Sequence, residues 1–239
     1  MSHNVPFRMR AKEVSRVEAF SDVVFGFALT LIVVSLEVPS TFDQLLLDMR
    51  GFLGFTICFA LLVWIWYCHY IFFRRYDLTD DVTVVLNTVL LFIVLGYVYP
   101  LKFLFALLTG ALNRHDAIRP GQIGTLMLIY GAGFAGIFLM LFLMHLHAYR
   151  RRDALALTAV ELHDTKTQLW MHGSYVAIGL ASIGIAVLAP PRFMSMAGWI
   201  YAVIGPLSAT IGTAMGIKRQ TVAAAMLETD AELTATAAT

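Results

Sequence analysis

Six apolar stretches, each long enough to cross a lipid bilayer as a helix, occupy most of this 239-residue chain. A helical span of the hydrocarbon core takes about 20 mostly apolar residues. The stretches cover residues 20–38, 51–73, 82–107, 123–145, 169–188 and 193–217. With 59% hydrophobic and 14% charged residues, the chain is too apolar for a soluble globular protein, and long runs without strict alternation exclude a barrel. We therefore predict an all-α, polytopic membrane protein with six transmembrane helices in one domain, residues 1–217, followed by a tail at 218–239.

Lysine and arginine are distributed unevenly between the two sets of connecting segments. If the N-terminus is cytoplasmic, the cytoplasmic segments hold twelve of them and the opposite loops four, with Lys102 left inside the third stretch. The positive-inside rule places the richer side in the cytoplasm. We expect both termini to be cytoplasmic, in a multi-pass protein of the plasma or inner membrane. The net charge of +1 gives no reason to expect a nucleic-acid partner.

The first apolar stretch opens with charged and polar residues. Residues 16–22 read Arg-Val-Glu-Ala-Phe-Ser-Asp, and from Phe20 to Val38 the only ionisable side chains are Asp22 and Glu37. Ionisable groups at membrane depth are costly, so they are usually functional or tightly paired. Arg16 lies more than one helical turn before Asp22, which makes a direct pair within the helix awkward. We expect Asp22 to find its partners on other helices.

Three polar side chains are expected at the depth of Asp22. Trp66 and His69 form a W-x-x-H near the predicted cytoplasmic end of the second stretch, and Asn87 lies early in the third. An indole N–H, an imidazole and an amide at one depth favour a hydrogen-bonded network. Alternatively, His69 lies at the membrane interface and binds water.

A stripe of mostly apolar residues follows one face of the first helix at about 100° per residue. Its members are Val23, Phe27, Thr30, Leu31 and Val34. Asp22 lies about 220° from Phe27, on the opposite side. Two interpretations remain open: the stripe faces the central axis of an assembly while Asp22 points back into the bundle, or the stripe makes ordinary helix or lipid contacts. The motif at 16–22 occurs once, so a pore would need several copies of the chain.

The R-x-x-x-F-S-D motif formed by Arg16, Phe20, Ser21 and Asp22 resembles the opening helix of the transmembrane protein 175 family, the endosomal and lysosomal potassium channels and their prokaryotic relatives. The resemblance covers the first half of the chain well, whereas the second half agrees in helix count. Its further features are Thr30 within the first helix, Leu-Glu-Val-Pro at 36–39, the W-x-x-H of Trp66 and His69, and Leu-Asn at 86–87.

The resemblance implies a non-classical potassium channel fold assembled as a homotetramer in membrane lipid, with the first helix of each subunit lining the pore. The permeant potassium ion would pass an apolar side-chain constriction instead of a carbonyl-lined filter, and no cofactor is implied. The implied pore-lining residues are Phe27, Thr30, Leu31 and Val34. The motif residues Arg16, Phe20, Ser21 and Asp22 would hold the helix through Trp66, His69 and Asn87. The family's narrowest ring is usually Ile or Leu, and Phe27 stands at that position here.

The sequence gives weaker signals for a metal site and for an enzyme. His145 and His147 flank the end of the fourth stretch, but two histidines at i, i+2 point to different helix faces, so we predict no metal site. The spacing shows no arrangement of nucleophile, base and orienting group, so we do not expect an enzyme. Two alternatives to a channel remain: a proton-coupled carrier or proton-permeable pathway that uses Asp22 or His69, and a non-conducting membrane scaffold.

Overall fold

Helices account for all the regular structure in the computed structural model, within the residues that it describes: 5–34, 40–108, 118–119, 122–190 and 193–237. The elements are α1 (Arg16–Val34), α2 (Phe42–Tyr76), α3 (Asp81–Leu108), α4 (Gln122–Arg150), α5 (Ala159–Leu188), α6 (Met196–Trp199), a 3-10 helix (Ile200–Val203) and α7 (Ile204–Ala237). The all-helical prediction is confirmed over these ranges.

Five helical segments in the described part of the chain are long and apolar enough to cross a membrane. They are Phe52–Tyr76, Asp81–Leu107, Gln122–Arg150, Ala159–Leu188 and Met196–Glu228. They correspond to the second to sixth predicted stretches. Helix α1 corresponds to the first, and the last four residues of that stretch, 35–38, lie outside the described residues.

Three boundaries differ clearly from the predicted ones. Helix α2 begins at Phe42, nine residues before the predicted start at residue 51. Helix α5 begins at Ala159, ten residues before the predicted start, because Thr158 and Glu161 form a capping box in which each side chain accepts the other's backbone N–H. Helix α7 continues to Ala237, through most of the segment 218–239 that we predicted as a tail after the last span. The tail is rich in alanine, the residue with the highest helix propensity, which explains its helical structure.

The last predicted span changes from α-helix to 3-10 helix and back without interruption. Its first turns form α6 and the 3-10 helix, and α7 takes over at Ile204. Pro206 lies in the first turn of α7, directly after the 3-10 helix, and has no N–H to donate to the preceding turn.

The bundle core lies where α2, α4 and α5 meet. The ring of Phe138 packs against Phe134, Trp64 and Tyr175, with centroids 4.7, 5.1 and 4.9 Å away. Helix α3 approaches α4 closely at Gly133, where an added Cβ would stand 2.2 Å from the ring of Tyr97. Aromatic packing and small residues are what hold helices together in lipid. Helix α1 packs on the side of this core, against α2 and α3.

Residues 5–15 form a segment, here called the strap, that crosses the ends of α2 and α5 before α1 begins. Phe7 and Ala11 are buried, and the backbone N–H of Arg10 donates to the carbonyl of Arg74 at 3.0 Å. The guanidinium of Arg74 donates to the carbonyl of Ala11 at 2.7 Å. The strap therefore fixes the point at which α1 enters the bundle. The side of the bundle that carries it is called the strap face below.

Candidate pore helix and its polar anchor

A capping box sets the first residue of α1. The backbone N–H of Glu18 donates to Ser15 Oγ at 3.2 Å, and Glu18 Oε2 accepts the N–H of Ser15 at 3.0 Å. The two bonds satisfy donors that a helix N-terminus otherwise leaves free, and they explain why a glutamate is buried here. Our sequence reasoning missed these two residues, although S-x-x-E at 15–18 is the usual signal for such a cap.

One face of α1 is buried in the subunit. Ser21, Phe25, Ala28 and Ile32 recur at i, i+4, i+7 and i+11, and each is at most 2% exposed. This spacing places the four on one side of a helix with 3.6 residues per turn. They form the contact of α1 with α2 and α3.

A chain of three hydrogen bonds fixes this buried face. Asn87 Nδ2 donates to Ser21 Oγ at 2.9 Å, and Ser21 Oγ–H donates to the carbonyl of Val17 at 2.7 Å. Asn87 Oδ1 lies 2.8 Å from His69 Nε2. Because the amide oxygen can only accept, this contact assigns the proton to Nε2 of the imidazole. The donors all run in one direction, from α2 through α3 to the backbone of α1. We call Ser21, Asn87 and His69 the polar anchor.

Asp22 lies at the edge of this interface and has a different partner. Trp66 Nε1–H donates to Asp22 Oδ1 at 2.7 Å, linking α2 to α1. We expected Asp22 to point into the bundle and to use Trp66, His69 and Asn87 together. In the structure its side of α1 is exposed. Of the two buried groups, Asn87 binds Ser21 instead, and His69 binds Asn87.

The opposite face of α1 is apolar and uncovered within the subunit. Val23 is 71% exposed and Phe27 57%. Phe20 is 61% exposed and, at about 20° from Phe27 on the helix, belongs to the same face. Leu31 is half-buried, and the side chain of Val34 lies outside the described part of the chain. From Val23 to Thr30, the predicted stripe therefore lies on the exposed side of the helix.

Thr30 brings a hydroxyl to the exposed face. Its Oγ1–H donates to the carbonyl of Gly26 at 2.8 Å, one turn back along the helix. With the proton used in this way, the oxygen presents its lone pairs to the exposed side. Such an oxygen can replace part of the water shell of a cation.

The predicted anchoring role does not extend to Arg16 and Phe20 within the subunit. Both side chains are exposed, and Arg16 has neither an ion pair nor a hydrogen bond to any described residue. The anchor therefore rests on the second half of the motif, Ser21 and Asp22.

Lys102 on α3 contacts the other end of α1. Its Nζ lies 3.4 Å from the carbonyl of Ile32, a long hydrogen bond near the last described turn of the helix. We assigned Lys102 no role from sequence, although it is the one lysine inside an apolar stretch.

The histidines considered for a metal site are separated in the structure. His145 Nδ1 donates to the carbonyl of Leu141, His147 contacts Asp80, and Glu161 binds Arg8 and Arg10. Over the ranges that the structure describes, no three His, Cys, Asp or Glu side chains are grouped to hold a metal ion.

Asp80 caps α3, the helix that carries Asn87. Its carboxylate accepts from the backbone N–H of Thr83 at 3.2 Å, from His147 Nε2 at 2.7 Å and from Arg151 at 2.9 Å. Partial burial works to raise the pKa of Asp80, but the hydrogen bonds from Thr83, His147 and Arg151 outweigh it and hold that pKa well below its usual range.

Comparison with known proteins identifies a family with the same sequence features. A family described as the endosomal/lysosomal potassium channel TMEM175 matches residues 16–97, which include the motif and the polar anchor. A protein of Marivirga tractuosa named "Potassium channel" is 38% identical over 223 residues, covering 87% of this chain and 90% of the relative. The chain belongs to the TMEM175 family of potassium channels.

Solved structures of this family share the fold. A crystal structure of a variant of the potassium channel MtTMEM175, in complex with a nanobody fusion protein, has 36% sequence identity and a TM-score of 0.77, over 89% of this chain and 98% of that one. A protein from Chamaesiphon minutus, described as a homologue of the lysosomal potassium-selective channel TMEM175, aligns with a TM-score of 0.58 over 86% of this chain and 99% of that one, at 22% identity. The resemblance seen in the sequence is therefore confirmed, and the family is one of channels and not of enzymes.

Proposed function

We propose that this chain is one subunit of a homotetrameric, potassium-permeable channel whose pore is lined by the exposed face of α1. The observation that carries the proposal is the contrast between the two sides of that helix. One side is held by a directed chain of hydrogen bonds, and the other presents Val23, Phe27 and Thr30 outside the subunit. The family, whose named relatives are potassium channels, supports the choice of ion.

The proposed constriction is a ring of Phe27 side chains, one from each subunit. An apolar ring of this kind acts by dewetting and by making an ion shed part of its water shell. Potassium holds its water less tightly than sodium, so a narrow uncharged ring favours potassium modestly. Thr30 lies three residues further along α1, and its hydroxyl oxygen would replace some of the lost water. Leu31 and Val34 would continue the path.

The proposed topology has six transmembrane helices with both termini in the cytoplasm of a cell bounded by a plasma or inner membrane. Five apolar helices of sufficient length and the excess of lysine and arginine on one set of segments support it. In this topology the strap face is cytoplasmic, and the polar anchor lies in the cytoplasmic half of the membrane. No cofactor is proposed, since potassium is the permeant ion.

The proposal is tested by potassium flux into vesicles reconstituted with wild type or Phe27→Ala. Truncation of the ring should enlarge the pore, so we expect faster potassium flux and a smaller ratio of potassium to sodium flux. Phe92→Ala is the matched control, because Phe92 is 78% exposed on α3 and lies outside the proposed path. Subunit counting in the same vesicles should give four. Unchanged flux in Phe27→Ala would remove that residue as the constriction.

The same vesicles distinguish the two alternatives. A proton-coupled carrier that uses Asp22 or His69 would show saturating flux with fixed proton stoichiometry, whereas a channel current follows the ionic gradient alone. A non-conducting scaffold would show no flux above that of protein-free vesicles.

A further inference from the structure

A pocket of about 360 Å³ opens on the strap face, where the strap meets α2, α5 and α7. It is bounded by Phe7 on the strap, Arg75 at the end of α2, Asp164 and Gln168 on α5, and Arg219 on α7. This volume falls in the range of small-molecule sites, roughly 300–1,000 Å³. The pocket lies apart from the exposed face of α1, and nothing in the pore proposal uses it.

Positive charge exceeds negative charge around the pocket and the strap. The arginines are Arg8, Arg10, Arg74, Arg75 and Arg219, and the carboxylates are Glu161 and Asp164. Arg8 and Arg10 share Glu161, with N–O distances of 3.0 and 2.8 Å. With Lys12 and Glu13 of the strap, six cations stand against three anions, which leaves three positive charges in excess. An anion is therefore the complementary ligand.

Arg75 is the cation whose hydrogen bonds are least complete. Its Nε and Nη1 are buried and have no hydrogen-bond partner among the described residues, and it forms no ion pair with them. Its guanidinium instead lies over the ring of Phe7, 4.8 Å from the centroid. Buried donors without acceptors are destabilising. Arg75 also lines the pocket, and the planar fork of a guanidinium matches the oxygens of a phosphate group.

The carboxylate in the pocket does not neutralise Arg75. Asp164 Oδ1 accepts from Arg219 Nε at 2.8 Å. Arg219 also donates to the carbonyl of Val5 at 2.7 Å, which ties α7 to the strap. The charge of Asp164 is thus matched by Arg219, and the charge of Arg75 remains available to a ligand.

We propose that this pocket binds a phosphate group, with Arg75 as its main ligand and the Gln168 amide as a second donor. The phosphate belongs either to a small soluble anion or to the headgroup of an anionic lipid, since the strap face adjoins the ends of the membrane-spanning helices. Occupancy would fasten the strap to α2 and α5. Because the strap leads directly into the capping box of α1, the site is placed to stabilise the entry of that helix.

Thermal unfolding of the full-length protein tests the proposal in two settings. In the first, inorganic phosphate is titrated in an uncharged detergent at constant ionic strength. In the second, nanodiscs of phosphatidylcholine are compared with nanodiscs that also contain phosphatidic acid. A ligand that binds the folded state raises the melting temperature in a saturable way. We expect such a rise in at least one setting for wild type.

Three variants assign the response to the pocket. Arg75→Gln should weaken the apparent affinity about tenfold or more, since it removes charge-assisted hydrogen bonds. Gln168→Glu keeps the side-chain size but places a carboxylate in the pocket, where it repels a phosphate group, so it should abolish the response. Arg150→Gln is the control, because Arg150 is an exposed arginine at the end of α4 that does not line the pocket. It should respond like wild type.

Each outcome has one meaning. A response to phosphate that is lost in Arg75→Gln supports a soluble anion as the ligand, and a response confined to phosphatidic acid supports a lipid headgroup. If Arg75→Gln does not fold, Gln168→Glu decides: loss of the response supports the site, and a wild-type response overturns it. No response of wild type in either setting overturns the proposal, as does an equal response of wild type and Arg75→Gln.

Discussion

The two faces of α1 differ in how their positions are fixed. On the buried face, the four residues Ser21, Phe25, Ala28 and Ile32 are each at most 2% exposed. The one polar side chain among them, Ser21, is hydrogen-bonded to both α1 and α3. On the opposite face Val23 and Phe27 are more than half exposed, and neither belongs to the core that the described residues form. The rotation of the helix is therefore set from one side only.

This asymmetry has a physical basis in the membrane. Lipid tails are as apolar as leucine or phenylalanine, so burying an apolar side chain gives little driving force between helices. Directional hydrogen bonds and close packing fix the helix instead, and an uncovered apolar face carries no penalty in lipid. The comparison predicts that changes to the buried face cost stability, whereas changes to the exposed face alter transport with little effect on stability.

The largest expected effect on stability comes from Asn87→Leu. The substitution keeps the volume but removes the acceptor of His69 and the donor to Ser21, leaving a buried imidazole with no partner on either nitrogen. We expect the free energy of unfolding to fall by about 2–3 kcal/mol. Denaturant unfolding in detergent or bicelles measures it.

Thr88→Val on the next residue of α3 is the control for this change. Thr88 is exposed and donates only to the carbonyl of Val84 within its own helix. We expect a change within about 0.5 kcal/mol. If Asn87→Leu and Thr88→Val lower the free energy of unfolding equally, the polar anchor does not fix the buried face of α1.

Asp80→Asn tests whether α3 also needs its charged cap to present Asn87. The folded pKa of Asp80 is lowered, so the carboxylate contributes stability above its unfolded pKa of about 3.9. That contribution is lost as the pH falls through the lower folded pKa. We expect wild type to be more stable than Asp80→Asn by about 1–2 kcal/mol at neutral pH, with the difference shrinking below about pH 4.

Unfolding curves recorded from neutral to acidic pH check this prediction. Asp153→Asn is the reference, because Asp153 is 90% exposed and its contact with Arg152 is long, at 3.8 Å. A difference between wild type and Asp80→Asn that is independent of pH would show that the ionised carboxylate is not what stabilises α3.

A smaller effect is expected where the buried and exposed faces meet, at the bond between Trp66 and Asp22. Trp66→Phe keeps the ring and removes the N–H, so it should cost about 1 kcal/mol. A double-mutant cycle with Asp22→Ala isolates the pair. Trp170→Phe serves as the control, since Trp170 is 68% exposed and its indole N–H forms no hydrogen bond to the described residues. A coupling energy near zero would mean that the indole and the carboxylate act independently.

The sequence predicts the depth of these groups better than their partners. Trp66, His69 and Asn87 were expected at the level of Asp22. Trp66 and Asn87 do bind α1 near its first turns, and His69 binds Asn87. The partner of the buried pair is Ser21 and not Asp22. Adjacent residues on a helix differ by about 100° in direction. Because α1 is apolar on nearly all sides, its sequence does not indicate which of them faces α3.

The predicted starts of α1 and α5 also differ from the observed ones. The apolar stretches mark the parts of the helices at membrane depth, and polar turns continue the same helices beyond it. The capping boxes of Ser15 with Glu18 and Thr158 with Glu161 define the true starts of α1 and α5. Both follow a recognisable S/T-x-x-E pattern, so the local signal was present. The contacts of Glu161 with Arg8 and Arg10 join residues more than 150 positions apart, and no local pattern indicates them.

The smallest expected change in stability, and the sharpest test of the exposed face, is Thr30→Val. The hydroxyl of Thr30 bonds only within its own helix, so its loss should alter the free energy of unfolding by no more than about 0.5 kcal/mol. Thr56→Val on α2 removes the same kind of exposed bond, at the same 2.8 Å, away from the proposed path. If the face of α1 conducts, potassium flux in vesicles should fall in Thr30→Val and stay unchanged in Thr56→Val. Equal flux in both variants would mean that ions do not pass the Thr30 hydroxyl, even if the buried face behaves as predicted.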